Sequence, residues 1–187
     1  IGNVKDQSAC GVIILPNSWE EYLASIGNSF KKSLKRFQNA FPDARLERVE
    51  HESELEIFKE RFVQMHQRNW EKKGYPGGFG NSDEQIKVER YHFSVMQDLL
   101  KERNLALMQL KIGGQSIAVD YCFEDKRNFY VYLRSITEDQ EIGKYSPGRM
   151  MIFYMIKNAI NNGKENFDLL RGEEQYKNDF KVIWKKN

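Results

Sequence analysis

At Leu105 the period of the sequence changes, and that change limits what the chain can fold into. Before it, apolar residues recur every three or four positions: Phe30, Leu34, Phe37 and Phe41, then Leu55, Phe58, Phe62 and Met65, then Ile86, Phe93, Met96 and Leu100. This spacing predicts helices from Ser29 to Pro42, from about Ser53 to Lys73 and from about Ser82 to Arg103. After it, Leu105 to Ile112 and Gln115 to Phe123 flank Gly113-Gly114, a two-residue hairpin signal, and Asn128 to Ser135 is rich in Tyr, Phe and Val. A further helix from Pro147 to about Asn162, capped by Gly163, separates these strands from Asn166 to Leu170 and from a final strand, Phe180 to Trp184. Nearer the start, Gly11 to Pro16 reads as a strand, Asn17 or Ser18 caps a short helix, and Arg45 to Val49 reads as a strand. Helices, antiparallel strands, a crossover helix and more strand make a mixed α/β domain. Repeats and linkers are absent, so residues 1–187 are expected to form one domain.

The crossover helix opens on Lys144-Tyr145-Ser146-Pro147-Gly148-Arg149. Ser146 is a favoured N-cap, Pro147 suits a first turn, and Gly148 removes a side chain from that turn. Backbone donors at the positive end of a helix dipole suit a phosphate or pyrophosphate. Some twenty residues on, the strand Asn166 to Leu170 empties into Arg171-Gly172-Glu173-Glu174-Gln175-Tyr176-Lys177. An anion-ready turn beside a strand ending in ionisable residues suggests a transferase with a phosphorylated cofactor.

Bulk properties narrow the partners. A net charge of +2 is too mild to imply nucleic acid. Cys10 and Cys122 form no cluster, which argues against a disulfide framework or a metal site and fits a reducing, cytoplasmic compartment. No apolar run approaches a membrane span, and no signal peptide is evident. The opening Ile1-Gly2-Asn3-Val4 reads like the middle of a chain, so this is expected to be the C-terminal part of a longer protein.

Several motifs occur in order: His66, Arg68 and Trp70 followed by Gly74, Pro76, Gly77 and Phe79; Gly113-Gly114; Tyr145 to Gly148; and Asp168 with Arg171-Gly172 and Tyr176-Lys177. Together with Trp19-Glu20-Glu21-Tyr22-Leu23 and the basic stretch Lys31 to Arg36, they resemble the CelD-like acetyltransferases, linked to cellulose and exopolysaccharide biosynthesis. That family lies within the Gcn5-related N-acetyltransferase (GNAT) superfamily. The resemblance spans roughly Ser18 to Phe180. It implies a central, mostly antiparallel sheet with helices on both faces and acetyl-CoA, or another acyl-CoA, in a cleft between two splayed strands. Lys144, Tyr145, Ser146, Pro147, Gly148 and Arg149 would hold the cofactor.

Acyl transfer from a thioester needs a base for the nucleophile, donors for the carbonyl oxygen and an acid for the thiolate. Asp168, Glu173 and Tyr176 are the catalytic candidates, with Glu174 and Asp120 as further carboxylates. His66, Trp70, Arg171 and Lys177 are the substrate-side candidates, each weighed against a packing, ion-pair or solvated role. The expected chemistry is direct transfer to an amine or hydroxyl of a small molecule, sugar or lipid precursor. Neither a metal nor a covalent enzyme intermediate is expected. A second GNAT-like half or a dimer partner would complete the assembly. The turn departs from the superfamily's Q/R-x-x-G-x-G/A spacing. That departure and the basic helix motivate one alternative, a FemABX-like transferase using aminoacyl-tRNA. Another is a non-catalytic module of the same fold.

Overall fold

The computed structural model describes residues 9–186, so the opening Ile1 to Val4 stretch lies outside the described residues. Its elements run β1 (Cys10–Ile14), α1 (Trp19–Ser25), α2 (Asn28–Ala40), β2 (Arg45–Arg48), α3 (Glu52–Glu71) and α4 (Asp83–Lys101). There follow β3 (Leu105–Ile112), β4 (Gln115–Glu124), β5 (Asn128–Ile136), α5 (Gln140–Gly143), α6 (Pro147–Asn161), β6 (Asn166–Arg171) and β7 (Ile183–Lys185). The strands form one sheet in the order β2-β3-β4-β5-β6-β1-β7. Every pairing is antiparallel except β5 with β6, which the α6 crossover joins in parallel.

Two cores hold helices to opposite faces. On one face α6 is buried around most of its circumference, through Met150, Met151, Ile152, Phe153, Met155, Ile156, Ala159 and Ile160. A helix apolar on nearly all sides belongs inside the protein, here between the sheet and helices α1 and α2. On the other face Leu55, Phe58 and Phe62 of α3 and Met96 of α4 pack on Leu105, Leu107, Val119 and Tyr121. The glycine pair of the β3–β4 hairpin takes φ of +56° and +80°, as a tight mirror-image turn requires.

The last two strands of the central sheet part company. β5 and β6 pair only over Asn128↔Asn166, Phe129↔Phe167 and Tyr130↔Asp168, then diverge. Each strand carries its own cause. In β5 the register with β4 jumps from Tyr121↔Leu133 to Cys122↔Val131, leaving Tyr132 as an extra, bulged residue. In β6, Leu170 adopts φ of +54°, an uncommon conformation for a branched side chain, and Asp168 Oδ1 accepts its N–H at 2.7 Å. Lys177, buried, fixes the curled end: its ammonium donates to the carbonyls of Leu169, Leu170, Arg171 and Gly172 at 2.9–3.2 Å.

Three local expectations are corrected. Phe180 to Trp184 is not one strand. Gln175–Phe180 forms a 3-10 helix, Lys181 turns at φ of +62°, and only Ile183–Lys185 pairs with β1. The cause is Phe180, which drops into the core against Phe30 and Phe153 and takes the chain off the sheet. The polar segment after β5 contains α5, a single turn capped by Asp139 through Glu141 N and Ile142 N. Ser146 stands at the N-cap position of α6 but in the left-handed region at φ of +55°, with no side-chain capping bond.

Candidate active site

Where β5 and β6 separate, a cleft of about 790 Å³ opens. Its walls come from both faces of the sheet. Asn69, Lys72 and Lys73 reach it from the end of α3, Ser146 to Arg149 from the start of α6, Arg134 and Ile136 from β5, and Tyr176 from the 3-10 helix. Thr137 and Glu138 close one lip.

The bulge explains why Arg134 points here. Val131 faces the α6 side and Leu133 faces the α3 side, so Tyr132 resets the alternation and turns Arg134 back toward α6. Its guanidinium grips fully buried Asp120 with Nε at 2.9 Å and Nη2 at 2.5 Å, a two-armed pairing that holds the side chain in place. Burial pushes the Asp120 carboxyl pKa up, and Arg134 opposes it. Asp120 therefore acts through Arg134.

Asn69 shapes the opposite wall. Its amide donates to Ile136 O and accepts from Ile136 N, both at 2.8 Å. Thr137 N bonds back to Ile117 O in β4, so the Ile136 groups face the open edge of β5, and Asn69 satisfies them. By the same alternation the Arg134 amide also faces the split.

At the start of α6, the N–H groups of Arg149 and Met150 both bond to Ser146 O, and Ser146 N bonds to Gly143 O. Pro147 has no N–H, so the backbone donor of this turn left without a partner among the described residues is Gly148 N–H. Lys72, Lys73, Arg134 and Arg149 line the cleft with one lining carboxylate, Glu138, and Arg134 is already paired with Asp120 behind it. Arg149 pairs with Asp179 at 3.0 Å and rests over the Phe30 ring. This donor set suits an oxyanion. A side chain at Gly148 would start 3.4 Å from Ile136 Cγ2 and 3.5 Å from Arg134 Cδ, inside the space the anion needs.

The sequence candidates distribute unevenly around this cleft. Ser146, Pro147, Gly148, Arg149 and Tyr176 line it. Burial raises the Tyr176 hydroxyl pKa, with Arg134 opposing, so the phenol keeps its proton at neutral pH. Lys144 points away to Glu141 at 2.6 Å. Tyr145 packs on Phe41 under the Arg36 guanidinium. Asp168 lies at the paired end of β5 and β6, on the face away from α6, in a small hollow with Tyr130, Asn128 and Lys185, its pKa raised by burial. Glu173 and Arg171 are exposed at the end of β6, and neither side chain forms an ion pair among the described residues. Glu174 pairs with Lys177 at 2.9 Å, so the Lys177 ammonium is fully engaged below the surface.

His66 is buried beside Phe62 and Phe79, with Nε2 accepting from Gly78 N at 3.4 Å. Burial, with a smaller contribution from Lys73, lowers its pKa to about 4. Trp70 supports Gly77 so closely that an added Cβ would sit 3.0 Å from its ring. Gln85 donates to Pro76 O at 2.6 Å, and Phe79 is buried between α3 and α4. The His66 to Phe79 block thus locks its own loop onto α3. Asn69, Lys72, Lys73, Arg134 and Glu138 escaped the sequence reading. A one-residue bulge and a helix end carry no periodic signal; the one clue was Asn69, lying inside the His66-to-Trp70 motif.

The family model for the acetyltransferase (GNAT) domain matches residues 28–178. The chain belongs to the GNAT acetyltransferase domain family. No curated protein sequence matches it. Among solved structures, FemX superposes with a TM-score of 0.72 at 9% identity, over 98% of this chain and 60% of that one. A conserved protein of unknown function from Bacteroides thetaiotaomicron gives 0.64 at 15% identity, over 96% and 57%. The C-terminal domain of a lysylphosphatidylglycerol synthetase from Agrobacterium fabrum gives 0.61 at 12%, over 97% and 59%. At these identities the likeness is one of fold. The GNAT domain described here spans under two thirds of each of those chains. Among the described residues no helix is long and apolar enough to cross a membrane, and no group of His, Cys, Asp and Glu could hold a metal ion.

Proposed function

We propose that this GNAT domain transfers an acyl group from acyl-CoA to an amine or hydroxyl of a small acceptor, and that the split between β5 and β6 is the donor cleft. The observation that carries this reading is the free Gly148 N–H and four cations converging where the sheet opens. Of these, Lys72 and Lys73 form no ion pair among the described residues, while Arg134 and Arg149 pair with Asp120 and Asp179. Acyl-CoA would supply an activated thioester carbonyl and a diphosphate. Arg149, Gly148 N–H, Lys72 and Lys73 are suited to the diphosphate, and the edge amide of Arg134 is suited to the carbonyl oxygen. Tyr176, held protonated, can return a proton to a departing thiolate. Glu138, the one carboxylate in the cleft lining, is suited to take a proton from the acceptor, a role for which the sequence offered Asp168 and Glu173. A CelD-like task in cellulose or exopolysaccharide assembly is the finer proposal, resting on the ordered motifs of the sequence.

Native mass spectrometry with acetyl-CoA tests the reading. One CoA per chain is expected, with the Arg149→Ala variant losing most of it; no adduct for the wild-type protein would reject it. A second reading, transfer from aminoacyl-tRNA, draws support from the basic face of α2. Arg36 of that helix donates to Lys144 O at 3.0 Å, and Arg149 lies over Phe30, so the face adjoins the cleft mouth. Binding of charged tRNA that weakens steeply with salt, without CoA binding, would favour it.

A further inference from the structure

A second cavity, of about 290 Å³, lies on the other side of the Ile136 to Glu138 wall, between α3 and the β3–β4 hairpin. Its chemistry is as one-sided as that of the cleft. Arg61 and Arg68 lie seven residues apart on α3, two turns along one face, and both line it. Arg61 is aimed: Nη1 donates to Gln109 Oε1 at 2.6 Å and to Ser116 Oγ at 3.1 Å, and Ser116 in turn donates to Gln109 at 2.8 Å. Those bonds use one nitrogen and leave the rest of the guanidinium fork uncommitted. Arg68 has no ion pair among the described residues. The single carboxylate in the lining is Glu138, which lines the donor cleft as well. Asn69 pins the shared wall by both its hydrogen bonds to Ile136.

We propose that this cavity binds an oxyanion group, carboxylate or phosphate, on the acceptor, so that the acceptor's nucleophile reaches the cleft past Glu138. The inference rests on the acyltransferase reading for the identity of the ligand as acceptor, but not for the anion site itself. A forked guanidinium fixed from behind recognises a planar or tetrahedral oxyanion through two parallel bonds. Arg68, exposed, adds charge at the mouth. Such a site makes the enzyme select acceptors that carry a negative group at a set distance from the reacting amine or hydroxyl.

NMR of the 15N-labelled chain separates this from the donor reading. Titration with acetate and, separately, with inorganic phosphate is expected to shift the amides of Gly114 to Ser116 and of Thr137. Arg61→Gln should abolish those shifts. Arg68→Glu, a change at an exposed position, should weaken them at least tenfold, because it replaces an attracting charge at the mouth by a repelling one. CoA should shift Gly148 and Arg149 in all three proteins. Which anion binds more tightly assigns carboxylate or phosphate. In turnover, both variants should raise KM for an acidic amine and leave KM for acyl-CoA unchanged. Anion shifts confined to the start of α6, or hairpin shifts that survive both variants, would overturn the anion site whatever CoA does. Hairpin shifts with no CoA binding would keep the anion site and reject its role in acyl-CoA-dependent transfer.

Discussion

Two stretches of this chain carry the densest glycine, proline and aromatic signals, and the fold uses them in opposite ways. The block from His66 to Phe79 closes on itself: His66 receives Gly78 N–H, Trp70 supports Gly77, and Phe79 fills the space between α3 and α4. The turn from Ser146 to Arg149 leaves its groups facing a cleft, with a backbone donor and several cations only partly matched by protein acceptors. Motif density alone does not mark a site. What distinguishes them is whether the groups are sealed inside the protein, as His66 is even with its Nδ1 unpartnered, or face a cleft.

The comparison can be broken by substitution, and the largest effects should fall on stability, in the closed region and at the curled end of β6. Phe79→Ala is expected to cost about 3–5 kcal/mol in denaturant unfolding, as for other fully buried aromatics. Lys177→Met should cost a similar 3–5 kcal/mol by the same measurement, because four carbonyls and Glu174 lose one buried partner. A loss below 1 kcal/mol would mean that the curled end of β6 needs no ammonium.

Acid should loosen the closed block and not the open turn. His66 has a folded pKa of about 4, below its ordinary value of 6.5. A depressed pKa stabilises the fold above the unfolded value, and that contribution fades as pH falls from 6.5 toward 4. The expected loss is about 2–3 kcal/mol. His66→Phe should flatten this part of the stability profile; an unchanged profile would clear His66 of the effect.

The smallest expected effect on stability belongs to the open turn. Arg149→Ala should shift unfolding by less than about 1 kcal/mol, the scale of a surface ion pair, while weakening CoA binding about tenfold or more. Loss of stability without loss of binding would make Arg149 a structural residue.

The fold was largely legible because its signals are periodic and local. Strand β3 runs over the expected Leu105 to Ile112, and the helices begin and end near their caps. The cleft was half legible. Pro147 and Gly148 announced a helix start, but the left-handed Ser146 and its shared carbonyl left fewer free donors than the sequence suggested. Arg134 was invisible because the bulge at Tyr132 reverses the face that strict alternation would assign. Lys177 read as a substrate-side or solvated cation, and its burial was not legible because what buries it, the curl at Leu170, is a backbone event.

Calorimetric titration with acetyl-CoA of the wild-type chain, Gly148→Glu and Phe79→Leu, each with its unfolding midpoint, tests the central claim most directly. The account predicts that Gly148→Glu abolishes binding at an unchanged midpoint, because its carboxylate enters the space beside Arg134. Phe79→Leu should lower the midpoint and keep the affinity. Undiminished CoA binding by Gly148→Glu, or no binding by the wild-type chain, would contradict it.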